Sequence, residues 1–284
     1  MTAVDGVHLH LDRWGEAGRP VLLSHGFGQT RGAWAGTARE LARRGCIAFC
    51  LDARGHGRSG RNPDGQRYRV EQFVSDIAQV AGAMPQPPVL VGASMGGLVG
   101  IAAQAAHRCF AGLVLVDIAP SWNQQGVERI LAFMGAHPDG FPSLEAAADA
   151  VAAYLPHRPR KSRQALTSVL RQREDGRWVW HWDPRLLADI GRTAAEVQDG
   201  LREAARSLDV PVLLVSGGRS ELIGRTQVED FLALVPHARH VRIDEATHMV
   251  AGDCNDSFTA TVVSFLDELH HATAPAVAAT GASS

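Results

Sequence analysis

The sequence predicts an α/β fold, a mostly parallel sheet with helices on both faces, and three observations carry that prediction. Short apolar runs alternate along the chain with stretches of helical periodicity, the pattern of buried parallel strands and their crossover helices. Two of the runs lead into glycine-rich turns, "HGFG" and "DARGHGRSG". The rhythm then stops between residues 121 and 205, where one helical pattern follows another with no convincing strand.

Taken in order, Val7 to Arg13 alternates apolar and polar residues, as an edge strand does. Pro20 to Ser24 is a short buried strand, Trp34 to Arg44 a helix stopped by Gly45, and Cys46 to Leu51 a second buried strand. Val70 to Met84 is helical, Pro88 to Val91 is a strand, and Met95 to Ala106 is a helix of small residues. Leu113 to Asp117 reads as a strand that ends in a bare carboxylate. The interrupted rhythm resumes with strands at Val212 to Ser216 and His240 to Ile243, and helices at Thr226 to Val235 and Ser257 to His270. Residues 121–205 are therefore expected to form a helical lid over the carboxyl edge of a core built from residues 1–120 and 206–272. Residues 273–284, without periodic pattern, are expected to be a flexible tail.

Composition narrows the function. The chain has 284 residues, 45% of them hydrophobic, enough for one large domain with a sizeable core. A net charge of −2 gives no basic field for nucleic acid, and Lys161 is the only lysine. No segment is long and apolar enough for a membrane span, and the N-terminal stretch lacks a signal-peptide core, so a cytoplasmic protein is expected. Cys46, Cys50, Cys109 and Cys254 have no metal-ligand spacing, and no cofactor or metal is expected.

The chemistry begins with "VGASMGG", which follows the strand Pro88 to Val91 and holds Gly92-x-Ser94-x-Gly96. At a strand-to-helix junction Ser94 can be forced onto a tight turn that projects its hydroxyl from the sheet edge. Gly92 and Gly96 are needed where a side chain would collide with neighbouring backbone, and the start of the next helix favours developing negative charge. An oxyanion needs two donors. The N–H of Met95 is one, and the N–H of Phe27, in the loop "SHGFG" after the strand Pro20 to Ser24, is the other. A base is expected on a loop after a late strand, and His248 stands four residues past Asp244. His25 and His56 lie in glycine turns near the same edge, where they either line the site or hold the turn.

In the order "SHGFG" (24–28), "DARGHGRS" (52–59), "GASMGG" (92–97) and "ATHM" (246–249), the chain from about residue 5 to 271 resembles the α/β-hydrolases that carry a helical cap. The resemblance implies an eight-stranded sheet, a serine nucleophile, a histidine base and a cap inserted after the sixth strand. The serine sets the chain apart from the branches that attack with aspartate.

The acid departs from that pattern. The resemblance implies an aspartate just after the seventh strand, yet the matching stretch is "SGGRSELI", with Ser220 in the acid position and Glu221 one residue late. Asp117, at the end of the sixth strand of that count, stands at the same sheet edge and is the leading candidate to accept from His248, with Glu221 as the alternative.

The lid carries "RWVWHWDPR", in which Trp178, Trp180 and Trp182 alternate and would share one face of an extended segment. Trp122, Trp180, Trp182 and His25 are candidate pocket residues, and Asp183 and Arg185 a candidate ion pair. The expected function is a serine hydrolase that cleaves a small ester or lactone through an acyl-enzyme, acting on a small molecule without nucleic acid or membrane partners, as a monomer or homodimer. Hydrolysis of a C–C or amide bond with the same triad is the alternative. A non-catalytic small-molecule receptor on the same fold is the other class.

Overall fold

A computed structural model describes residues 1–156, 160–253 and 255–273. Its first half runs β1 (His10–Trp14), β2 (Arg19–Ser24), α1 (Ala35–Arg43), β3 (Cys46–Asp52), α2 (Val70–Gly82), β4 (Val89–Ala93), α3 (Met95–His107) and β5 (Gly112–Val116). An inserted segment follows, with α4 (Gln124–Gly135), α5 (Leu144–Tyr154), α6 (Arg163–Thr167), β6 (Leu170–Gln172), β7 (Trp178–Trp180) and α7 (Arg185–Arg206). The chain then returns through β8 (Val212–Gly217), α8 (Arg225–Leu234), β9 (Arg239–Ile243), α9 (Val250–Asp253) and α10 (Asn255–Thr273).

Seven strands form one sheet in the order β1-β3-β2-β4-β5-β8-β9, with β1 antiparallel to β3 and all other neighbours parallel. Among the described residues the eighth strand implied by the resemblance is absent. At the N-terminal edge Thr2 and His8 form only an isolated bridge, and the insertion follows the fifth strand of the seven.

Strand alternation decides which side chains meet which helices. Val21, Leu23, Val89, Val91, Val114, Val116, Leu213 and Val215 point to one face, where they pack with Leu41 of α1 and Phe258, Val262 and Leu266 of α10. Leu22, Leu90, Leu113, Leu115 and Leu214 point to the other, against Ile77 and Val80 of α2, Ile101 of α3 and Phe231 of α8. These strands are apolar on both faces, so they read as continuous hydrophobic runs.

The inserted segment differs from expectation in two ways. It contains a two-stranded hairpin, β6–β7, with Arg171 opposite Val179. The turn between them ends in Asp175-Gly176, with Gly176 at φ +81°, a hairpin signal inside a segment expected to hold no strand. Its last helix, Arg185–Arg206, also belongs in part to the core, which was expected to resume only at residue 206. Leu201 and Ala205 of α7 join the cluster that covers the sheet, so this helix spans the insertion and the core. The insertion has a core of its own around Phe141, Leu144, Ala147, Val151, Leu166 and Leu170. In the basic run 157–163, Arg160 pairs with Asp149 and Arg163 with Glu145, while residues 157–159 lie outside the described residues. The expected tail also lies outside them, apart from Thr273 at the end of α10.

Candidate active site

Ser94 sits between β4 and α3 at φ +47° and ψ −116°, a conformation that costs an L-residue on the order of 1–3 kcal/mol and persists only where its surroundings impose it. The surroundings here are backbone. A Cβ on Gly92 would lie 2.6 Å from the Gly96 carbonyl oxygen, and one on Gly96 would lie 2.4 Å from that of Ser24. The Ser94 N–H donates to the Val116 carbonyl at 3.1 Å, which ties the turn to the end of β5. The N–H groups of Gly97 and Leu98 both donate to the Ser94 carbonyl, so α3 starts at once. Ser94 is half-buried.

The loop after β2 brings main chain to the same place. A Cβ on Gly26 would lie 3.2 Å from Ser94 Cβ, so this loop passes in contact with the serine. Among the described residues, neither the Phe27 N–H nor the Met95 N–H has a protein acceptor.

Of the two roles open to His25, lining the site or holding the turn, the hydrogen bonds fit the second and not a pocket residue. It is fully buried, its Nδ1–H donates to the Gly26 carbonyl at 2.8 Å and its Nε2 accepts from the Ala53 N–H at 3.1 Å. Both ring nitrogens are committed to main chain, so His25 braces the loop and has no polar atom left for a substrate.

Asp117 follows β5 at φ +50° and is fully buried. Its N–H donates to the Val215 carbonyl at 2.7 Å. Three donors surround its carboxylate. The Gly217 N–H reaches Oδ1 at 2.8 Å, while the Ser220 hydroxyl and His248 Nδ1, the latter at 2.7 Å, both reach Oδ2. A buried carboxylate without such partners would carry a desolvation penalty of several kcal/mol. The donor set also fixes the imidazole: with Nδ1 protonated toward Asp117, Nε2 is left as the basic nitrogen.

Two glycines let the histidine loop settle against β8. A Cβ on Gly217 would meet the Thr247 carbonyl oxygen at 2.5 Å, and one on Gly218 that of Asp244 at 2.4 Å.

Glu221, the alternative acid, stands away from His248. It is exposed and its Oε1 accepts from Arg129 of α4 at 2.8 Å. The one-residue displacement that separates it from the expected position turns its side chain out to solvent. Ser220, in that position, supplies a donor to Asp117 instead.

Trp178 packs in the core of the insertion. Trp180 lies between that core, edge-on to Phe133 and Phe141 at centroid separations of 6.0 and 5.6 Å, and the junction cluster of Tyr68, Trp182 and Leu186. Trp182 is buried at the junction with the sheet, 5.0 Å from the Phe27 ring. Trp122 is half-buried against the sheet cluster. The indole N–H groups of Trp122, Trp180 and Trp182 are buried and have no acceptor among the described residues. Asp183 and Arg185 do form an ion pair, at 2.7 Å, and the Tyr68 hydroxyl donates to the same carboxylate at 2.8 Å.

Sequence reading did not single out His181, which joins His25 and His56 in a buried cluster beside the loop of Phe27. Burial pushes all three imidazoles toward the neutral form, His181 to about 4. The signal available was position: a histidine directly after the hairpin strand that leads to the sheet edge. Among the described residues no group of three or more His, Cys, Asp or Glu side chains is arranged to hold a metal ion, and no helix is long and apolar enough to cross a membrane.

Comparison with known proteins agrees with this fold. The family described as Hydrolase_4, serine aminopeptidase S33, matches residues 15–255. Esterase Rv0045c of Mycobacterium tuberculosis is 32% identical over 252 residues, covering 85% of this chain and 80% of that protein. Its solved structure superposes with a TM-score of 0.73 at 27% identity, over 91% of this chain and 89% of that one. The 3-hydroxybutyrate-oligomer hydrolase of Cupriavidus necator is 28% identical, covering 86% of this chain and 88% of that protein. An α/β hydrolase from Novosphingobium aromaticivorans shares the fold, with a TM-score of 0.77 at 23% identity over 95% and 96% of the two chains. The chain belongs to the Hydrolase_4 (serine aminopeptidase S33) family and is a serine hydrolase with an α/β-hydrolase fold.

Proposed function

We propose that the protein hydrolyses a small carboxylic ester or lactone through an acyl-enzyme on Ser94. The observation that carries this reading is the 2.7 Å hydrogen bond from His248 Nδ1 to the buried Asp117, at the sheet edge where Ser94 is held in its strained turn. His248 Nε2 takes the proton of Ser94 Oγ as that oxygen attacks the carbonyl. The carbonyl oxygen gathers negative charge, which the unpartnered N–H groups of Phe27 and Met95 receive. The tetrahedral intermediate collapses, and His248 returns the proton to the departing alkoxide. Water, deprotonated by the same nitrogen, then releases the acid. Asp117 holds the imidazole in the required tautomer and stabilises its cation.

Two kinds of support favour an ester. One relative is named an esterase, and another hydrolyses oligomers of a hydroxy acid. The insertion also holds buried indole N–H donors without acceptors, suited to a substrate with oxygen atoms beyond the scissile carbonyl. The family description favours a second reading, cleavage of an amide. In either case residues 121–205 act as the cap over the serine, and a reducing cytoplasm suits the free thiols of Cys46, Cys50 and Cys109.

The test is a substrate panel on wild type and Ser94→Ala: p-nitrophenyl esters of increasing chain length, lactones and aminoacyl p-nitroanilides, with fluorophosphonate labelling beside it. Ester or lactone turnover lost in Ser94→Ala supports the reading. Labelling with p-nitroanilide turnover alone favours the amide. Absence of labelling together with retained ligand binding favours a receptor.

A further inference from the structure

We propose that His181, carried by the inserted segment, is a positioning residue for the loop that holds the oxyanion. It joins the turn at residues 53–57 to Gly28, one residue past Phe27. The proposal rests on the reading of Phe27 as an oxyanion donor.

Three imidazoles knit this corner together. His25 links Gly26 to Ala53 through its two ring nitrogens. His56, fully buried, accepts from the Gly28 N–H at 3.3 Å through Nε2 and donates to the Arg54 carbonyl at 3.1 Å through Nδ1. His181 accepts from the Gly57 N–H at 2.7 Å through Nδ1 and faces the Gly28 carbonyl at 3.4 Å through Nε2. His25 and His56 come from the core, and only His181 comes from the insertion.

Gly28 is the focus. It lies at φ +77°, and histidines hold its N–H on one side and its carbonyl on the other. Holding both groups fixes the two peptide planes that flank Gly28, and so the path of the loop beyond Phe27. The plane that carries the Phe27 N–H is shared with the Gly26 carbonyl, which His25 and the Gln29 N–H hold. Met134 of α4 fills the space that a Gly28 side chain would need, with its Cε 2.3 Å from the position of such a Cβ. The insertion therefore touches the loop by packing, through Met134 and Trp182, and by hydrogen bonding, through His181.

The hydrogen-bond pattern sets the ring's state. Nδ1 accepts, so the proton resides on Nε2 and the ring is neutral. A second proton would set two donors against each other at Gly57. Burial opposes that proton. The charged groups that act on His181 are Asp52 and Arg61, with His25 and His56 as its imidazole neighbours.

A positioning role predicts a loss in kcat, because an oxyanion donor acts on charge that exists only in the transition state. Deleting such a donor outright costs about 10²–10³ in kcat, and a misaligned one costs less. The experiment compares His181→Phe, His181→Gln and His181→Asn in the full chain on the best p-nitrophenyl ester. It also measures inhibition by a trifluoromethyl ketone, whose adduct with Ser94 carries a true oxyanion. We expect His181→Phe to lower kcat about tenfold, with KM within twofold, and to weaken the ketone in the same proportion. Glutamine, whose amide N–H reaches toward the Nε2 position, restores most of the loss, whereas asparagine, which mimics only Nδ1, does not. Unchanged kcat with raised KM, or a lowered Tm alone, overturns the proposal. If His181→Phe fails to fold, equal kcat for the glutamine and asparagine variants overturns it. Activity that survives Ser94→Ala sinks the functional reading instead, whatever the His181 variants do.

Discussion

The Ser220 hydroxyl donates to Asp117 Oδ2, the same oxygen that receives Nδ1–H of His248. The residue at the place where the resemblance implies an acid thus serves the acid that stands elsewhere. Its oxygen also accepts from the N–H groups of Leu222 and Ile223 at 3.1 and 3.3 Å, so the hydroxyl is held in place as a donor to the carboxylate.

From this arrangement, Asp117→Asn should lower kcat by up to about 10⁴-fold, since an amide keeps the shape but offers His248 the wrong partner. Glu221→Gln should leave kcat within twofold, because that carboxylate is exposed and bound to Arg129. Steady-state kinetics on one ester checks both. A comparable loss in the two variants would remove Asp117 from the triad.

Ser94→Ala should lower kcat by at least about 10³-fold with little change in Tm. The turn is imposed by glycine contacts at residues 92 and 96, so an alanine is held in the same conformation. Residual activity above about a tenth of wild type would exclude Ser94 as the nucleophile.

Gly217→Ala should disturb the Asp117–His248 pair from both sides, since the Gly217 N–H also donates to Asp117 Oδ1. The new methyl would sit 2.5 Å from the Thr247 carbonyl oxygen, and backbone on that side must move, carrying His248 with it. We expect kcat to fall about tenfold or more, because small displacements of a catalytic group are expensive, with Tm lowered by a few degrees. Unchanged kinetics would mean that the loop relaxes away from the site.

Trp180→Ala and Trp182→Ala should behave differently. Trp180 packs on Phe133 and Phe141 inside the insertion, so its loss should cost about 2–3 kcal/mol of stability. Trp182 packs on Phe27, so its loss should raise KM and change chain-length preference. Thermal melts beside a chain-length series distinguish the two. A large shift in preference from Trp180→Ala would place that ring in the pocket.

Stability should fall in acid through the buried imidazoles. The unfolded chain takes up protons near pH 6.5, whereas burial holds folded His181 at about 4 and lowers His25 and His56 as well. The unfolded state therefore binds more protons between these values, and stability is lost as pH falls from about 6.5 toward 4. His181 alone accounts for about 3 kcal/mol at the acid end of that window. Melting temperature at pH 7.5 and 4.5 tests this, and His181→Phe should flatten the difference. An equally steep decline in that variant would assign the acid sensitivity to other groups.

The strand-and-helix rhythm of the core was readable because parallel strands are apolar on both faces. "LVLVD" and "VLLVS" show this directly, and their observed bounds fall within a residue of the periodic runs. Ser94 and Asp117 were readable as candidates because each stands at the end of such a run, and His248 because it follows a late strand by a few residues. The hairpin Leu170–Trp180 was not, since a three-residue strand is shorter than either periodicity needs. Its Asp175-Gly176 turn was the available clue. The orientation of Glu221 was hidden for another reason: it depends on Arg129, 92 residues away in α4. The buried role of His25 likewise depends on Ala53, across a parallel pair of strands.

The sheet order also sets a timetable for synthesis. Strands β1 to β5 lie side by side in the sheet and leave the ribosome before Asp117 does, and only the outer edge of β5 awaits a partner, β8. The strands β8 and β9 that complete the sheet, and the loop that brings His248 to Asp117, follow only after the whole inserted segment has been made. A nascent chain can therefore present its serine turn, flanked by β2 and β5, long before the imidazole exists to meet the carboxylate. Until then Asp117 stands at the growing edge of the sheet without Gly217, Ser220 or His248. The last quarter of the chain thus adds strands, covers that edge and completes the Asp117–His248 pair, so a truncated product carries an exposed strand and lacks that pair.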